Sequence, residues 1–195
     1  YFIEMKPATL RDPLGDWERL QNALRAEYGL DGLTIDYGTL TQLQKTVRAG
    51  EWKVTAFVWQ NREVIRVAPG FAEYALGLAV DVGTTTVAGF LCDLDSGRVL
   101  ASESMMNPQT SYGDDVMARI TYAMTKPDGL EKMHAAIIEG LNTIVARTCE
   151  TAGYQPEDIA EAVLVGNTCM DHIFLNIFPK YVGVSPFAPA IHHSV

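Results

Sequence analysis

Residues 78–90 read LAVDVGTTTVAGF, and the fold of the chain turns on how this stretch is taken. The apolar run Leu78, Ala79, Val80 ends at Asp81. One glycine and three threonines follow, and a second apolar run begins at Val87. The pattern predicts a strand, a tight turn and a second strand. Gly83 lets the backbone bend and approach a ligand closely. The backbone N–H groups and the hydroxyls of Thr84, Thr85 and Thr86 converge on the turn, a grouping suited to phosphate oxygens. Asp81, at the strand end, stands where a Mg²⁺ with its waters would bridge carboxylate and phosphate. A plain β-hairpin with a polar turn is the alternative reading, although such turns favour Asn-Gly or Asp-Gly over three threonines.

Downstream, Asp95-Ser96-Gly97 predicts a second hairpin turn and residues 99–104 a third strand. Three meandering antiparallel strands would then carry the threonine turn between the first two. Asp114 or Asp115 is placed to cap a helix reaching about Met124, with Val116, Ile120 and Ala123 inward. The same two acids could instead be catalytic. A longer helix runs from about Asp128 to Ala152. Leu130, Ile137, Leu141, Ile144 and Val145 form its stripe, and Gly153 ends it. Residues 162–165 predict a buried strand, followed by Gly166, Asn167 and Thr168 and then by a helix near Cys169 and Met170.

In open α/β sheets, ligands gather at the carboxyl ends of strands. If residues 162–165 neighbour the first strand, the loops after Asp81 and at Gly166 face one cleft. Asn167 and Thr168 would there hydrogen-bond a nucleotide phosphate, an attacking water or a substrate. Capping the following helix is the competing role, and the two are compatible. His172 on that helix reads as structural. His192 and His193 are adjacent in sequence and poorly spaced for a metal site.

Pro69-Gly70 marks a boundary between residues 1–70 and 71–195. In the first region Asp16 can cap a helix with Trp17, Leu20, Leu24 and Tyr28 on one face. Thr39 with Gln42 is a capping-box pattern, opening a helix with Leu40, Leu43 and Val47 inward. Residues 52–59 and 63–67 predict a hairpin about Asn61-Arg62. The result is a small ααββ unit in which nothing reads as catalytic, with Trp17, Trp52 and Trp59 as core.

The chain has 195 residues, a hydrophobic content of 48% and a charged content of 20%, which is ordinary globular composition. Its net charge of −9 argues against a nucleic-acid or anionic-membrane surface. No apolar run is long enough to span a bilayer, and residues 1–6 do not read as a signal peptide. Cys92, Cys149 and Cys169 form no CxxC pair, so zinc or iron–sulfur ligation within the chain is not expected. The odd count reads as reduced thiols in a cytoplasm. The first residue is Tyr rather than Met, and the chain reads as a piece of a longer protein.

The strand–DxGTTT–strand–strand order resembles the first phosphate motif of the actin, sugar-kinase and Hsp70 ATPase superfamily. Four stretches, GLAVDVGTTTVAGFLCDLDSGRVLA, NPQTSYGDDVMARI, VLVGNTCMDH and SPFAP, together resemble the reductive activators of corrinoid proteins. RDPLGDWERL resembles the middle domain that precedes the ATPase domain in that family. The resemblance implies an α/β fold: a small α+β domain, then a ribonuclease H-like ATPase subdomain with a mixed sheet.

The resemblance also implies an activity. An inactive cob(II)alamin-type cofactor of a corrinoid methyl-transfer protein would be returned to cob(I) at the expense of ATP and Mg. The electron would pass through an N-terminal [2Fe-2S] ferredoxin-like domain that this chain does not contain. Asp81 becomes the Mg²⁺-water partner and, with Asn167, a catalytic candidate. Gly83, Thr84, Thr85, Thr86, Gly166 and Thr168 become the nucleotide-binding set. The partner implied is the corrinoid protein of a methyltransferase system, with a homodimer left open. Asn107 and Gln109 belong to a stretch characteristic of the family, without a physical role legible in the sequence.

The second half of the ATPase domain, with its second phosphate loop and adenosine pocket, is not expected in this chain. A one-walled cleft makes few phosphate contacts, so the chain alone is expected to bind ATP weakly and hydrolyse it hardly at all. Two other readings stay open. One is a small-molecule kinase of the same superfamily, with its base among Asp114, Asp115 and Asp171. The other is a non-catalytic scaffold of that fold.

Overall fold

A computed structural model describes residues 1–191. The chain divides into two compact units, Tyr1–Ala75 and Leu76–Val195.

In the first unit a four-stranded sheet is built from β1 (Phe2–Glu4), β2 (Thr34–Ile35), β3 (Lys53–Trp59) and β4 (Glu63–Pro69). The strand order is β1-β3-β4-β2. β3 runs antiparallel to both β1 and β4, and β2 runs parallel to β4. Helices α1 (Asp16–Tyr28) and α2 (Tyr37–Ala49) bury Leu20, Leu24, Leu43 and Val47 with Ile3, Val54 and Val64 of the sheet. The ααββ expectation therefore lacked two strands. β1 has three residues and β2 two, too few for an alternating pattern to register.

Two expected caps also differ. α1 starts from Gly15 without a side-chain cap. Asp16 instead pairs with Arg48 of α2, whose guanidinium lies 5.0 Å from the Trp52 ring centroid. α2 begins two residues before Thr39, because Asp36 is its cap and accepts from the Thr39 N–H at 2.8 Å. The Thr39 hydroxyl donates to the Ile65 carbonyl at 2.6 Å and is not free for the capping box. Trp17 and Trp52 pack against the core, while Trp59 is exposed.

In the second unit β5 (Leu76–Val82), β6 (Thr86–Asp93) and β7 (Val99–Met106) form an antiparallel meander. β8 (Ile159–Gly166) lies parallel to β5, in the order β7-β6-β5-β8. The chain passes from β7 to β8 through a 3-10 turn (Pro108–Tyr112) and helices α3 (Val116–Thr125) and α4 (Gly129–Ala152). α5 (Thr168–Phe174) follows β8. Leu78, Val80, Val82 and Val87 project from one sheet face into a core with Met133, Ile137, Leu141 and Ile144 of α4. Ala79, Asp81 and Phe90 point to the other face and are exposed. This alternation is the period of two that pleated strands impose.

β8 departs from the expected buried strand. It extends from Ile159 to Gly166, and Val163 and Val165 are 53% and 57% exposed. Both belong to the outward face, in register with Ala79 and Asp81. None of the β8 residues is buried, so the apolar run at residues 162–165 reports hydrophobicity and not coverage.

Close packing of α4 on the sheet depends on Gly89, where an added Cβ would overlap Ile144 Cγ2. Ile144 is 1% exposed and has no room to yield. Gly89→Val is expected to lower unfolding stability by about 1–3 kcal/mol, as overpacked cores do, measured by chemical denaturation.

Candidate functional site: the threonine turn and the end of β8

Val82 and Gly166 are paired in the parallel β5–β8 ladder, so the loops that follow them leave the sheet at one level. The first is the turn 83–86. None of its four residues lies in the left-handed region, so it is neither of the primed types that two-residue hairpin loops favour. Its shape is held from inside instead. Asn107 Nδ2 donates to the Gly83 carbonyl at 2.8 Å. Arg119 Nη2 donates to the Thr84 carbonyl at 2.5 Å. The Asn107 N–H donates to the Thr85 carbonyl at 2.8 Å. Gly83 is required sterically, since a Cβ there would stand 2.6 Å from the Thr86 carbonyl oxygen.

With three carbonyls turned inward, the outer side of the turn is left to donors. Thr85 and Thr86 are exposed, and among the described residues the Thr84 and Thr85 N–H groups have no backbone partner. Asp81 is exposed on the outward face of β5, between Ala88 and Val165 in register. The strand runs one residue further than the sequence pattern indicates, to Val82.

The second loop meets the first. Asn167 Nδ2 donates to Thr84 Oγ1 at 3.0 Å, bridging the two strand ends. The other end of the same amide, Oδ1, accepts from the Cys169 and Met170 N–H groups at 3.1 Å each and caps α5. Asn167 thus has the capping role that the sequence offered, and its donor end is engaged by Thr84. Thr168, the first residue of α5, is exposed. Gly166 is confined: a Cβ would lie 3.0 Å from Asp171 Oδ1 and 3.1 Å from the Val82 carbonyl oxygen.

The stretch holding Asn107 and Gln109 now has a physical account. Asn107 caps the 3-10 turn by accepting from the Gln109 N–H at 2.9 Å while it holds the threonine turn. Gln109 donates to the Met133 carbonyl at 3.2 Å and accepts from Arg119 Nη1 at 3.2 Å. Arg119 completes its bonds at the Gly113 carbonyl (2.9 Å) and at Met170 Sδ (2.9 Å). Asn107, Gln109 and Arg119 are all fully buried. Sequence reasoning missed Arg119. The available signal was its position: three residues after Val116 and four before Ala123, it lies on the helix face that points inward.

The remaining titratable candidates separate. Asp115 caps α3, accepting from the Ala118 N–H at 2.7 Å. Burial pushes the Asp171 carboxyl up, against the pull of His172. Burial also lifts the Cys169 thiol to about 11, with Arg119 opposing. His172 is buried; its Nδ1 lies 2.6 Å from the Thr168 carbonyl and its Nε2 accepts from the Ala190 N–H at 3.0 Å. That pairing puts the proton on Nδ1 and gives the ring a structural task. His192 and His193 lie outside the described residues.

Fold and site together define a mixed-sheet α/β unit that presents a braced threonine turn beside the end of a parallel strand. Residues 76–195 match the family model described as the RACo middle region, and residues 1–74 match the RACo linker region; the chain belongs to the RACo family of corrinoid activators. The stretch read from sequence as a middle domain is thus the family's linker region. The chain is similar to the corrinoid activation enzyme RamQ of Eubacterium limosum, 43% identical over 111 residues, which are 57% of this chain and 19% of that protein. It also matches a solved structure described as a reductive activator for corrinoid, iron-sulfur protein. That match has a TM-score of 0.77 and 34% identity, over 97% of this chain and 31% of the other. The mixed α/β fold expected from the sequence is the fold of this relative. The chain spans less than a third of the length of either one.

Two outcomes follow from the site geometry. Asn107→Ala strips a donor from the Gly83 carbonyl and an acceptor from the Gln109 N–H, and should cost about 2 kcal/mol or more in denaturant unfolding. Asp171→Asn should raise the unfolding midpoint at pH 7. The folded carboxyl titrates above its unfolded value, so its penalty is full above that raised pKa. The penalty fades as pH falls, and the gain should vanish below about pH 4; melts across that range read it out.

Proposed function

We propose that this chain is the first-phosphate-loop part of an ATP-dependent reductive activator. The whole protein returns the inactive cob(II)alamin-type cofactor of a corrinoid methyl-transfer protein to cob(I). The observation that carries the reading is the Asn167–Thr84 hydrogen bond, which joins the two strand-end loops into one lip. Membership of the RACo family and the names of both relatives support the corrinoid assignment.

The residues present fit a nucleotide phosphate. Thr84, Thr85 and Thr86 would hold its oxygens through N–H and hydroxyl groups, and Gly83 lets the turn close against the Thr86 carbonyl. Because Thr84 Oγ1 accepts from Asn167, its own proton is free to donate outward. Asn167 is a neutral amide and takes no proton at working pH, so its part in catalysis is orientation, with Thr168 beside it. Asp81 would hold Mg²⁺ through water. Bound nucleotide supplies the free energy that couples to an uphill one-electron reduction. A [2Fe-2S] cluster does not fit this chain: Cys149 and Cys169 are buried, and among the described residues no three His, Cys, Asp or Glu side chains group to hold a metal. Among the described residues no helix is long and apolar enough to cross a membrane. The free cysteines support a cytoplasmic setting.

Visible spectra of a cob(II)-containing corrinoid protein test the reading, recorded with reductant and the full-length polypeptide, with and without Mg-ATP. The cobalt(II) band should decay and a cobalt(I) band grow in only when ATP is present. Asp81→Asn and Thr85→Val should each slow that change by about tenfold or more, as loss of a charge-stabilising contact does. Spectra unaffected by ATP, with a competent client, would sink the reading. Phosphoryl transfer to a sugar would favour the kinase, and unchanged ATPase activity in both variants would favour the scaffold.

A further inference from the structure

Arg119 has no part in the function proposed above, yet it is a fully buried charge in the second unit. It has no ion-pair partner among the described residues. Asp114 and Asp115 attract it only from a distance. Its acceptors are the Gly113 and Thr84 carbonyls, Gln109 Oε1 and Met170 Sδ, all of them neutral. A charge buried in this way is more costly than a neutral side chain that fills the same space.

The geometry gives the charge a use. The three peptides linking residues 83 to 86 each have their carbonyl bonded from inside. A peptide whose carbonyl accepts a hydrogen bond has a more strongly polarised N–H, and a charged donor enlarges the effect. The N–H in the same peptide as the Thr84 carbonyl belongs to Thr85, an exposed residue. In a trans peptide that N–H points opposite the carbonyl, hence away from the buried guanidinium.

We propose that Arg119 is a positioning residue for an anionic phosphate ligand: through the Thr84–Thr85 peptide, its buried charge aims and polarises the Thr85 N–H toward the phosphate. The inference rests on the nucleotide reading of the turn. A phosphate bound there compensates the buried charge in return, so ligand and Arg119 stabilise each other.

The test uses the full-length polypeptide as wild type, Arg119→Lys and Arg119→Met. Each is titrated calorimetrically with Mg-ATP and melted without ligand. Arg119→Met should bind Mg-ATP at least about tenfold more weakly, the scale of a lost charge-assisted bond. It should also melt lower than wild type without ligand, because the Gly113 and Thr84 carbonyls and Gln109 Oε1 lose their donor, and Arg119→Lys should recover part of the affinity. Unchanged ATP affinity in Arg119→Met overturns the inference. So does weaker binding with no recovery by lysine, which marks a plain brace. If Arg119→Met does not fold, a spectrum of the unmutated protein with ¹⁵N-labelled threonine decides: the Thr85 amide proton should move downfield on adding Mg-ATP, and a stationary signal overturns the inference. A wild type that binds no Mg-ATP removes the nucleotide reading and this inference with it. A wild type that binds, with an insensitive Arg119→Met, removes this inference alone.

Discussion

A guanidinium buried without a carboxylate beside it is the constraint around which the second unit is arranged. Several kcal/mol are at stake when such a group is left unsatisfied, and Arg119 is satisfied by four separate pieces of chain. The Gly113 carbonyl comes from the loop before α3, Gln109 from the 3-10 turn, Thr84 from the β5–β6 turn and Met170 from α5. Gln109 in turn holds the Met133 carbonyl of α4. Displacing any of these leaves a buried donor unmet, so the loop, the turn and the helix are positioned together. A turn with an unfavoured hairpin geometry is thereby held as one conformation.

The first unit treats its own buried arginine differently. Arg19 is 6% exposed and lies 2.7 Å from the carboxylate of Asp12, with a second bond to the Asp12 carbonyl. The hydrogen bond from Arg19 holds the Asp12 carboxyl below its usual range. One chain thus contains both solutions to the same problem: an internal counter-charge in one unit, and neutral acceptors in the other. The second solution leaves the guanidinium without an ion-pair partner among the described residues, with Asp114 and Asp115 acting on it only from a distance.

How far these features were legible in the sequence depends on whether a local pattern or a distant partner decides them. β5, β6 and β7 are legible because one buried face makes Leu78, Val80 and Val82 alternate with Ala79 and Asp81. β1 and β2 are too short to show a period. The caps of α1 and α2 were misplaced because tertiary partners claimed the side chains: Arg48 took Asp16, and the Ile65 carbonyl took the Thr39 hydroxyl. Asn167 stood out as a residue and its cap was legible, but its bond to Thr84, 83 residues away, has no local signature. Arg119 was passed over because a charge on a helix ordinarily faces water. Its partners lie as far as 51 residues away in sequence, and no local pattern names them. The apolar run at residues 162–165 was read as a buried strand, although such a run reports hydrophobicity and not what covers it.

That last strand has a consequence for handling the protein. β8 ends its sheet with Val163 and Val165 facing outward, beside an edge of backbone donors and acceptors. Edges of this kind recruit any extended chain they meet, including another copy of themselves. Charged side chains, prolines and bulges are the usual deterrents; β8 has Glu161 on its outward face and a register shift at its start, while Val163 and Val165 beyond them are apolar. The 195-residue piece, expressed by itself, should be least soluble along this one margin.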